Sequence, residues 1–197
     1  MELRKDLQQI ANIIPEGSRV LDLGCGFGEL LHYLDDEKNV DGRGIEISQS
    51  GVSAAVKEGL SVIQGDADID LEFYPDKCFD YTISSQMLQA THDPRRILKQ
   101  MLRVSDKAVV SLPNFGYWYN RFYLMFKGRM PVSSTLSYQW YETPNIHFST
   151  IKDFEELCAK MNIKIENQIY LSASGNKISC GFPSYNLTCE KCIFVLG

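Results

Sequence analysis

Three closely spaced glycines form the segment of the sequence best suited to bind a ligand. Gly24, Gly26 and Gly28 follow an apolar run that predicts a buried strand, and a helical pattern begins directly after them. A turn without Cβ atoms lets its backbone N–H groups, and the positive end of the next helix, approach a ligand closely. The spacing therefore predicts a nucleotide-like ligand between the first strand and the following helix.

Two carboxylates near these glycines indicate the chemistry of that ligand. Asp22 directly precedes the turn, where its charge would repel a pyrophosphate and attract an ammonium group. Glu46 lies 18 residues after Gly28, close to the roughly 20 expected for a carboxylate that binds both ribose hydroxyls of an adenosine. A molecule that joins an amino-acid tail to an adenosine is S-adenosylmethionine, or its demethylated product S-adenosylhomocysteine, and we predict this cofactor.

Two other interpretations of the glycines are open. The dinucleotide fingerprint G-x-G-x-x-G of an NAD-dependent oxidoreductase needs a glycine at position 29, which is Glu29 here. Such an enzyme also needs a second catalytic domain, which the sequence does not indicate. The plainer alternative is a tight strand-to-helix turn with solvated acids. Asp22 and Glu46, in a strand–helix context, favour the cofactor site over both alternatives.

Further candidate contacts follow later strands of the predicted sheet. Asp66, after the third strand, could accept the adenine amino group, or could be an ordinary polar turn residue. Gln86, at the end of the fourth strand, is a candidate contact for the methionine part of the cofactor. The complete set of predicted cofactor-binding residues is Asp22, Gly24, Cys25, Gly26, Gly28, Glu46, Ile47, Asp66, Ala67 and Gln86.

Catalytic residues stay unassigned. Methyl transfer from a sulfonium is an in-line displacement with a good leaving group, so that it can run on proximity and orientation. His147 could be a base or a ligand contact, although a structural, hydrogen-bonded histidine is the more frequent case. The C-x-x-C pair Cys189 and Cys192 lacks a second pair at zinc-ribbon spacing, which favours packing over a metal site.

Alternating apolar and amphipathic runs must position these residues. They predict one α/β domain over residues 1–197, a Rossmann-like, mostly parallel sheet with helices on both faces. A leading helix precedes the sheet, and later helices begin at the caps Ser48, Asp93 and Thr150. After Ser48, we expect Val52, Ala55 and Val56 to face the core. The predicted strands are 19–23, 44–47, 60–64, 79–84, 108–112, 163–171 and 192–196.

An aromatic-rich insertion at about 113–147 departs from this pattern. Ten residues of Tyr, Trp and Phe crowd the segment, which also holds three prolines. Aromatic side chains bury much area, and Tyr and Trp keep a polar end. The insertion could therefore be a substrate wall or lid, an interaction surface, or a small second core.

Composition limits the function classes. The formal net charge is −5 and no run of Lys or Arg occurs, which disfavours nucleic acid as a partner. No apolar run of membrane-spanning length and no secretory leader is seen, so we expect a cytoplasmic protein that does not associate with a membrane. The six cysteines, Cys180 among them, are expected to be reduced and mostly packed.

Several longer strings resemble one family. They are Val62-Ile63-Gln64-Gly65-Asp66, Phe79-Asp80-Tyr81 with Ser85-Gln86-Met87-Leu88-Gln89-Ala90-Thr91, Ser111-Leu112-Pro113-Asn114-Phe115-Gly116, and Trp140-Tyr141-Glu142-Thr143-Pro144-Asn145-Ile146-His147. They are similar to the signatures of the MetW family of methionine biosynthesis proteins, which have the class I S-adenosylmethionine methyltransferase fold. The resemblance spans nearly the whole chain.

This resemblance implies a seven-stranded sheet with one antiparallel strand near its edge. It also implies cofactor binding through the residues Asp22, Gly24, Gly26, Glu46 and Asp66, and partnership with homoserine O-acyltransferase. One position departs from the family, because Phe27 stands where an acidic residue is frequent. Two hypotheses follow: a cofactor-binding accessory protein of the acyltransferase, or a methyltransferase that acts on an unidentified small molecule.

Overall fold

A seven-stranded sheet forms the centre of the computed structural model, which describes residues 3–133, 136–179 and 184–197. The strands are β1 (Arg19–Leu23), β2 (Asp41–Glu46), β3 (Ser61–Gln64), β4 (Phe79–Ser85), β5 (Ser105–Pro113), β6 (Ile165–Leu171) and β7 (Lys191–Leu196). Their order is β3-β2-β1-β4-β5-β7-β6. Strands β1 to β5 pair in parallel, and β7 runs antiparallel to both of its neighbours. The predicted fold class is confirmed.

Helices connect and cover these strands. They are α1 (Lys5–Ala11), α2 (Glu29–Lys38), α3 (Gln49–Lys57), α4 (Ala67–Asp70), α5 (Pro94–Val104), α6 (Trp118–Lys127), α7 (Ile151–Lys160) and α8 (Tyr185–Thr188), with 3₁₀ turns at Leu71–Phe73 and Leu88–Ala90. The three predicted caps are confirmed, because the side chains of Ser48, Asp93 and Thr150 each accept a backbone N–H of the following turn. No helix in the described ranges is long and apolar enough to cross a membrane.

The strands bury apolar residues on both faces of the sheet. In β1, Val20 packs with α1 and α2 on one face, whereas Leu21 and Leu23 belong to the cluster that includes α5 and α7 on the other. Successive side chains of a strand point to opposite faces. Asp22 therefore lies on the Val20 face, at the carboxyl end of the strand. The predicted helices on both faces are confirmed.

Two local predictions were wrong. Val56 is 52% exposed and does not face the core. Helix α3 packs against β2 and β3, the two strands at one edge of the sheet. The sheet therefore covers only a narrow stripe of the helix, which includes Val52 and Ala55. The segment at about 113–147, which was predicted to be irregular, contains the helix α6.

Asn114 anchors the start of this insertion. Its side chain donates to the carbonyl oxygens of Asn186 and Cys189, at 3.0 and 2.7 Å, and accepts from the backbone N–H of Gly116. Its buried amide therefore has a structural role. Cys158, Cys189 and Cys192 are buried in the core, whereas Cys180 lies outside the described residues.

Candidate functional site

The three glycines form a left-handed turn between β1 and α2. Gly24, Gly26 and Gly28 have φ angles of +67°, +59° and +82°, values at which other residues are strained. A Cβ on Gly28 would collide with Leu60 and lie 3.2 Å from the Cβ of Ala55. A Cβ on Gly26 would meet no atom within 4 Å. Gly28 therefore allows helix packing, whereas Gly26 faces open space that a ligand can occupy.

Glu46 fixes this turn from the end of β2. Its Oε2 accepts the N–H of Gly26 at 2.8 Å, and its Oε1 accepts the N–H of Ser48 at 2.8 Å. A carboxylate has about four lone-pair positions, so each oxygen keeps capacity for another donor. The carboxylate is thus held in one orientation and keeps lone pairs for two further donors.

Gly51 is a site residue that sequence reasoning missed. A Cβ there would lie 2.7 Å from the carbonyl oxygen of Gly26 and 3.0 Å from Cγ of Glu46. Only a glycine therefore lets the first turn of α3 approach the glycine turn and Glu46. Its position three residues after the cap Ser48 is the signal that could have found it.

Asp22 lies buried beneath the turn without a complete set of partners. Its side chain is 2% exposed, and Oδ1 has no hydrogen-bond partner among the described residues. Burial, and to a lesser extent the nearby charge of Glu46, raises the pKa of Asp22 to about 8. A buried carboxyl oxygen without a donor is costly. An ammonium group at this position would supply both a donor and the compensating charge.

Cys25 points its side chain into the protein. A Cβ on Gly44 of β2 would lie 2.5 Å from the Sγ of Cys25. Burial raises the pKa of the Cys25 thiol to about 12, with smaller contributions from Asp22 and Glu46. The thiol is therefore neutral and packed. The backbone of Cys25 is bonded within the protein as well, since its N–H donates to the carbonyl oxygen of Ile45 at 3.3 Å and its carbonyl oxygen accepts the N–H of Gly28 at 3.0 Å.

The predicted residues Ile47, Asp66 and Ala67 follow the ends of β2 and β3. Asp66 caps α4 by accepting the N–H of Asp68 at 2.9 Å, and its own N–H donates to Asp70 at 2.7 Å. Ala67 is buried, whereas Ile47 is 68% exposed directly after Glu46. This arrangement combines an exposed apolar side chain with a fixed carboxylate, which suits one face and the polar edge of an adenine.

Gln86 has a different orientation from the expected one. Its Nε2 donates to Oδ2 of Asp6 in α1 at 3.0 Å, so its amide is directed to α1. The next residue, Met87, borders the glycine turn, since a Cβ on Gly24 would lie 2.9 Å from its Cγ. Sequence reasoning missed Met87, although it directly follows a predicted residue.

His147 lies apart from the turn. It is exposed and lines a cavity of about 190 Å³ with Pro94, Asp153 and Phe154. Its backbone N–H donates to the carbonyl oxygen of Gln89 at 3.0 Å.

Comparison with known proteins gives the family. The family model described as methionine biosynthesis protein MetW matches residues 4–196. The chain belongs to the MetW family. It is 36% identical over 177 residues to the bifunctional methionine biosynthesis protein MetXA/MetW of Rhodopirellula baltica, covering 85% of this chain and 28% of that protein. The chain spans only about a quarter to a third of the first three curated relatives it matches, at 28%, 32% and 24% of their lengths.

Solved structures agree on the fold. An S-adenosylmethionine-dependent methyltransferase from Mesorhizobium loti matches with a TM-score of 0.70 at 16% identity, covering 98% of this chain and 97% of that one. The [4+2]-cyclase SpnF matches with a TM-score of 0.67 at 19% identity, covering 96% and 79%. The fold is thus shared by a methyltransferase and a cyclase, so it does not by itself establish methyl transfer.

Proposed function

We propose that this chain binds S-adenosylmethionine and acts with homoserine O-acyltransferase in methionine biosynthesis as an accessory protein. The observation that carries the cofactor part is Asp22, a buried carboxyl beneath a glycine turn, whose Oδ1 has no partner in the part of the chain that the structure describes. An amino-acid tail supplies the missing ammonium group, which a pyrophosphate cannot do.

Each part of the cofactor has a matching group in this chain. Asp22 binds the ammonium group, and the open space at Gly26 leaves room for the tail. Glu46 accepts the ribose hydroxyls with the lone pairs that its two backbone donors leave unused. Ile47 and Asp66 meet the face and the edge of the adenine. When bound, S-adenosylmethionine supplies an electrophilic methyl group, or serves as the signal that reports its own concentration.

The partnership is supported by the relative from Rhodopirellula baltica, whose name joins a MetXA part and a MetW part. Fusion of two proteins raises the effective concentration of each for the other. Such a fusion is expected where separate chains otherwise have to associate.

Helix α6 offers the surface for that association. Asn120 is its buried residue, whereas its aromatic and aliphatic side chains face outward. We define the α6 surface by its exposed large apolar residues Trp118, Tyr119, Phe122, Leu124, Met125 and Phe126. The rings of Phe122 and Phe126 stack at 5.9 Å. Exposed apolar patches rich in aromatic residues are typical of protein interfaces, and we assign this one to the acyltransferase.

Copurification of the two proteins tests the partnership. The acyltransferase is expected to elute with this chain in size-exclusion chromatography and to change its acyl-transfer rate in the complex. The double variant Phe122→Ser with Phe126→Ser should abolish both effects and leave the melting temperature unchanged. A matched double variant at two exposed apolar residues elsewhere, Val56→Ser with Phe73→Ser, should keep both. If the unaltered chain formed no complex with the acyltransferase and left its rate unchanged, the partnership would be contradicted.

A second candidate function is methyl transfer to a small molecule. It is favoured by a cavity of about 550 Å³ whose wall includes Gln86, the neighbour of Met87 at the glycine turn. This volume is in the range of small-molecule sites. A crystal structure with S-adenosylmethionine separates the candidates: a sulfonium methyl that opens into this cavity supports transfer, and a sealed methyl supports the accessory role.

A further inference from the structure

The cavity beside Gln86 lies at the same edge of the sheet as the glycine turn. Gln86 follows β4, whose end lies beside the end of β1. Because β7 is antiparallel, its first residue, Lys191, is paired with Pro113, the last residue of β5. The topology therefore brings a lysine from the start of one strand to the ends of the parallel strands, where open α/β sheets bind ligands.

The walls of this cavity carry a net positive charge. Among the residues that the structure describes, its charged lining residues are Arg4, Lys5, Asp6 and Lys191, which are three cations and one carboxylate. The remaining walls are polar or small, and they come from the segment after β4, the aromatic-rich insertion and the turn after β6. A surplus of two positive charges attracts an anion.

Asp6 is already occupied by protein donors. Its side chain is 9% exposed, and its Oδ2 accepts from Lys191 Nζ at 3.2 Å and from Gln86 Nε2 at 3.0 Å. Arg4 donates to Oδ1 at 3.3 Å. Burial favours the protonated acid, yet Lys191 and Arg4 outweigh it and lower the pKa of Asp6. Asp6 is thus a fixed carboxylate that positions Lys191, and it has little capacity to bind a cationic ligand.

Lys191 is the cation that the surrounding structure holds in place at this site. Its side chain is 14% exposed, and in the described ranges its ammonium group has Asp6 as its one acceptor, at 3.2 Å. An ammonium group has three donors, so two remain for a ligand. Gly175, with a φ of +77°, closes the turn against α1, since a Cβ there would lie 2.9 Å from the backbone N of Asp6. The lysine is therefore held in a wall that packs closely around its partner.

We propose that this cavity binds a small carboxylate whose anionic group is met by Lys191 and Arg4. Met87 joins the cavity residue Gln86 to the glycine turn, so this ligand would lie beside the methionine end of the cofactor. That position rests on the proposed function. The binding of the anion itself does not depend on the cofactor. A methyl acceptor or an effector of the acyltransferase in this cavity would therefore carry a carboxylate.

Isothermal titration of the full chain with malonate at low ionic strength tests the proposal. The dianion is expected to bind with one site, and its neutral analogue malonamide is expected not to bind. Lys191→Met keeps the aliphatic stem and should weaken malonate at least about tenfold. Lys57→Met removes the same charge from the groove between α2 and α3 and should leave the affinity unchanged.

Two further measurements keep the test independent of folding and of the cofactor. Arg4→Gln alters a side chain that is 60% exposed, so the protein should fold normally and bind malonate a few-fold more weakly. S-adenosylmethionine is titrated in parallel: malonate binding without cofactor binding would contradict the proposed function and leave this inference standing. Equal binding of malonate by Lys191→Met and the unaltered chain, equal binding of malonamide, or a stronger Lys191-dependent response to inorganic phosphate would overturn it.

Discussion

The glycine turn and the α6 surface depart from an ordinary globular protein in opposite ways. At the turn, the side chain of Asp22 is buried, and its Oδ1 finds no partner within residues 3–133, 136–179 and 184–197. On α6, apolar groups such as Phe126 are exposed without a covering layer. A buried polar group is costly unless a small charged ligand meets it, whereas an exposed aromatic face is covered best by another protein. Under the proposed function, a cofactor therefore occupies the glycine turn and a partner protein covers the α6 surface.

Substitution of one buried and one exposed phenylalanine should give the largest difference in protein stability. Phe194 is fully buried in β7, and Phe126 is 75% exposed on α6. Phe194→Ala should lower the free energy of unfolding by about 3–5 kcal/mol because it leaves a cavity. Phe126→Ala should change it by less than about 0.5 kcal/mol and weaken the acyltransferase complex. Chemical denaturation measures the first effect and biosensor binding the second. A large stability loss in Phe126→Ala would mean that α6 is part of the core.

Alanine variants of Gly26 and Gly28 distinguish the glycine needed for ligand binding from the glycine needed for helix packing. Both alanine variants carry the left-handed backbone strain of about 1–2 kcal/mol, but Gly28→Ala adds overpacking against Leu60 and Ala55, about 1–3 kcal/mol. Gly26→Ala should fold and lose S-adenosylmethionine, because its new Cβ occupies the open space. Thermal unfolding and calorimetry on both variants check this. Normal cofactor affinity in Gly26→Ala would place the ligand elsewhere.

Asp22 gives a smaller, pH-dependent effect on stability. Its pKa is raised from 3.8 to about 8 in the folded protein, so the folded state holds this proton more tightly than the unfolded state. The resulting stabilisation is complete below about pH 4 and is lost as the pH rises to about 8. Asp22→Asn removes this dependence, so its melting temperature without ligand should rise relative to the unaltered chain between pH 5 and pH 8. If the melting temperatures of the two proteins changed with pH in the same way, the raised pKa would not belong to Asp22.

The sequence predicted the strands and caps because their signals are local. The strand at 19–23, the caps Ser48 and Thr150 and the order of the glycines depend on residues a few positions apart. Side-chain direction at the site depends on distant partners. Gln86 is directed to α1 by Asp6, 80 residues away in the chain, and Gly51 matters only because the turn approaches α3. The helix α6 could have been predicted, since Trp118, Phe122 and Phe126 recur at helical spacing. Its exposure could not, because a local pattern does not show whether an apolar face is covered.

Calorimetric titration of S-adenosylmethionine into the unaltered chain and into Asp22→Asn tests whether Asp22 holds the ammonium group of the cofactor. The same pair is titrated with 5′-methylthioadenosine, which has the adenosine but no amino-acid tail. Asp22→Asn is expected to lose about 2–5 kcal/mol of S-adenosylmethionine affinity, about thirtyfold or more, and to bind the tail-less analogue as the unaltered chain does. Equal S-adenosylmethionine affinities in two folded proteins would contradict it.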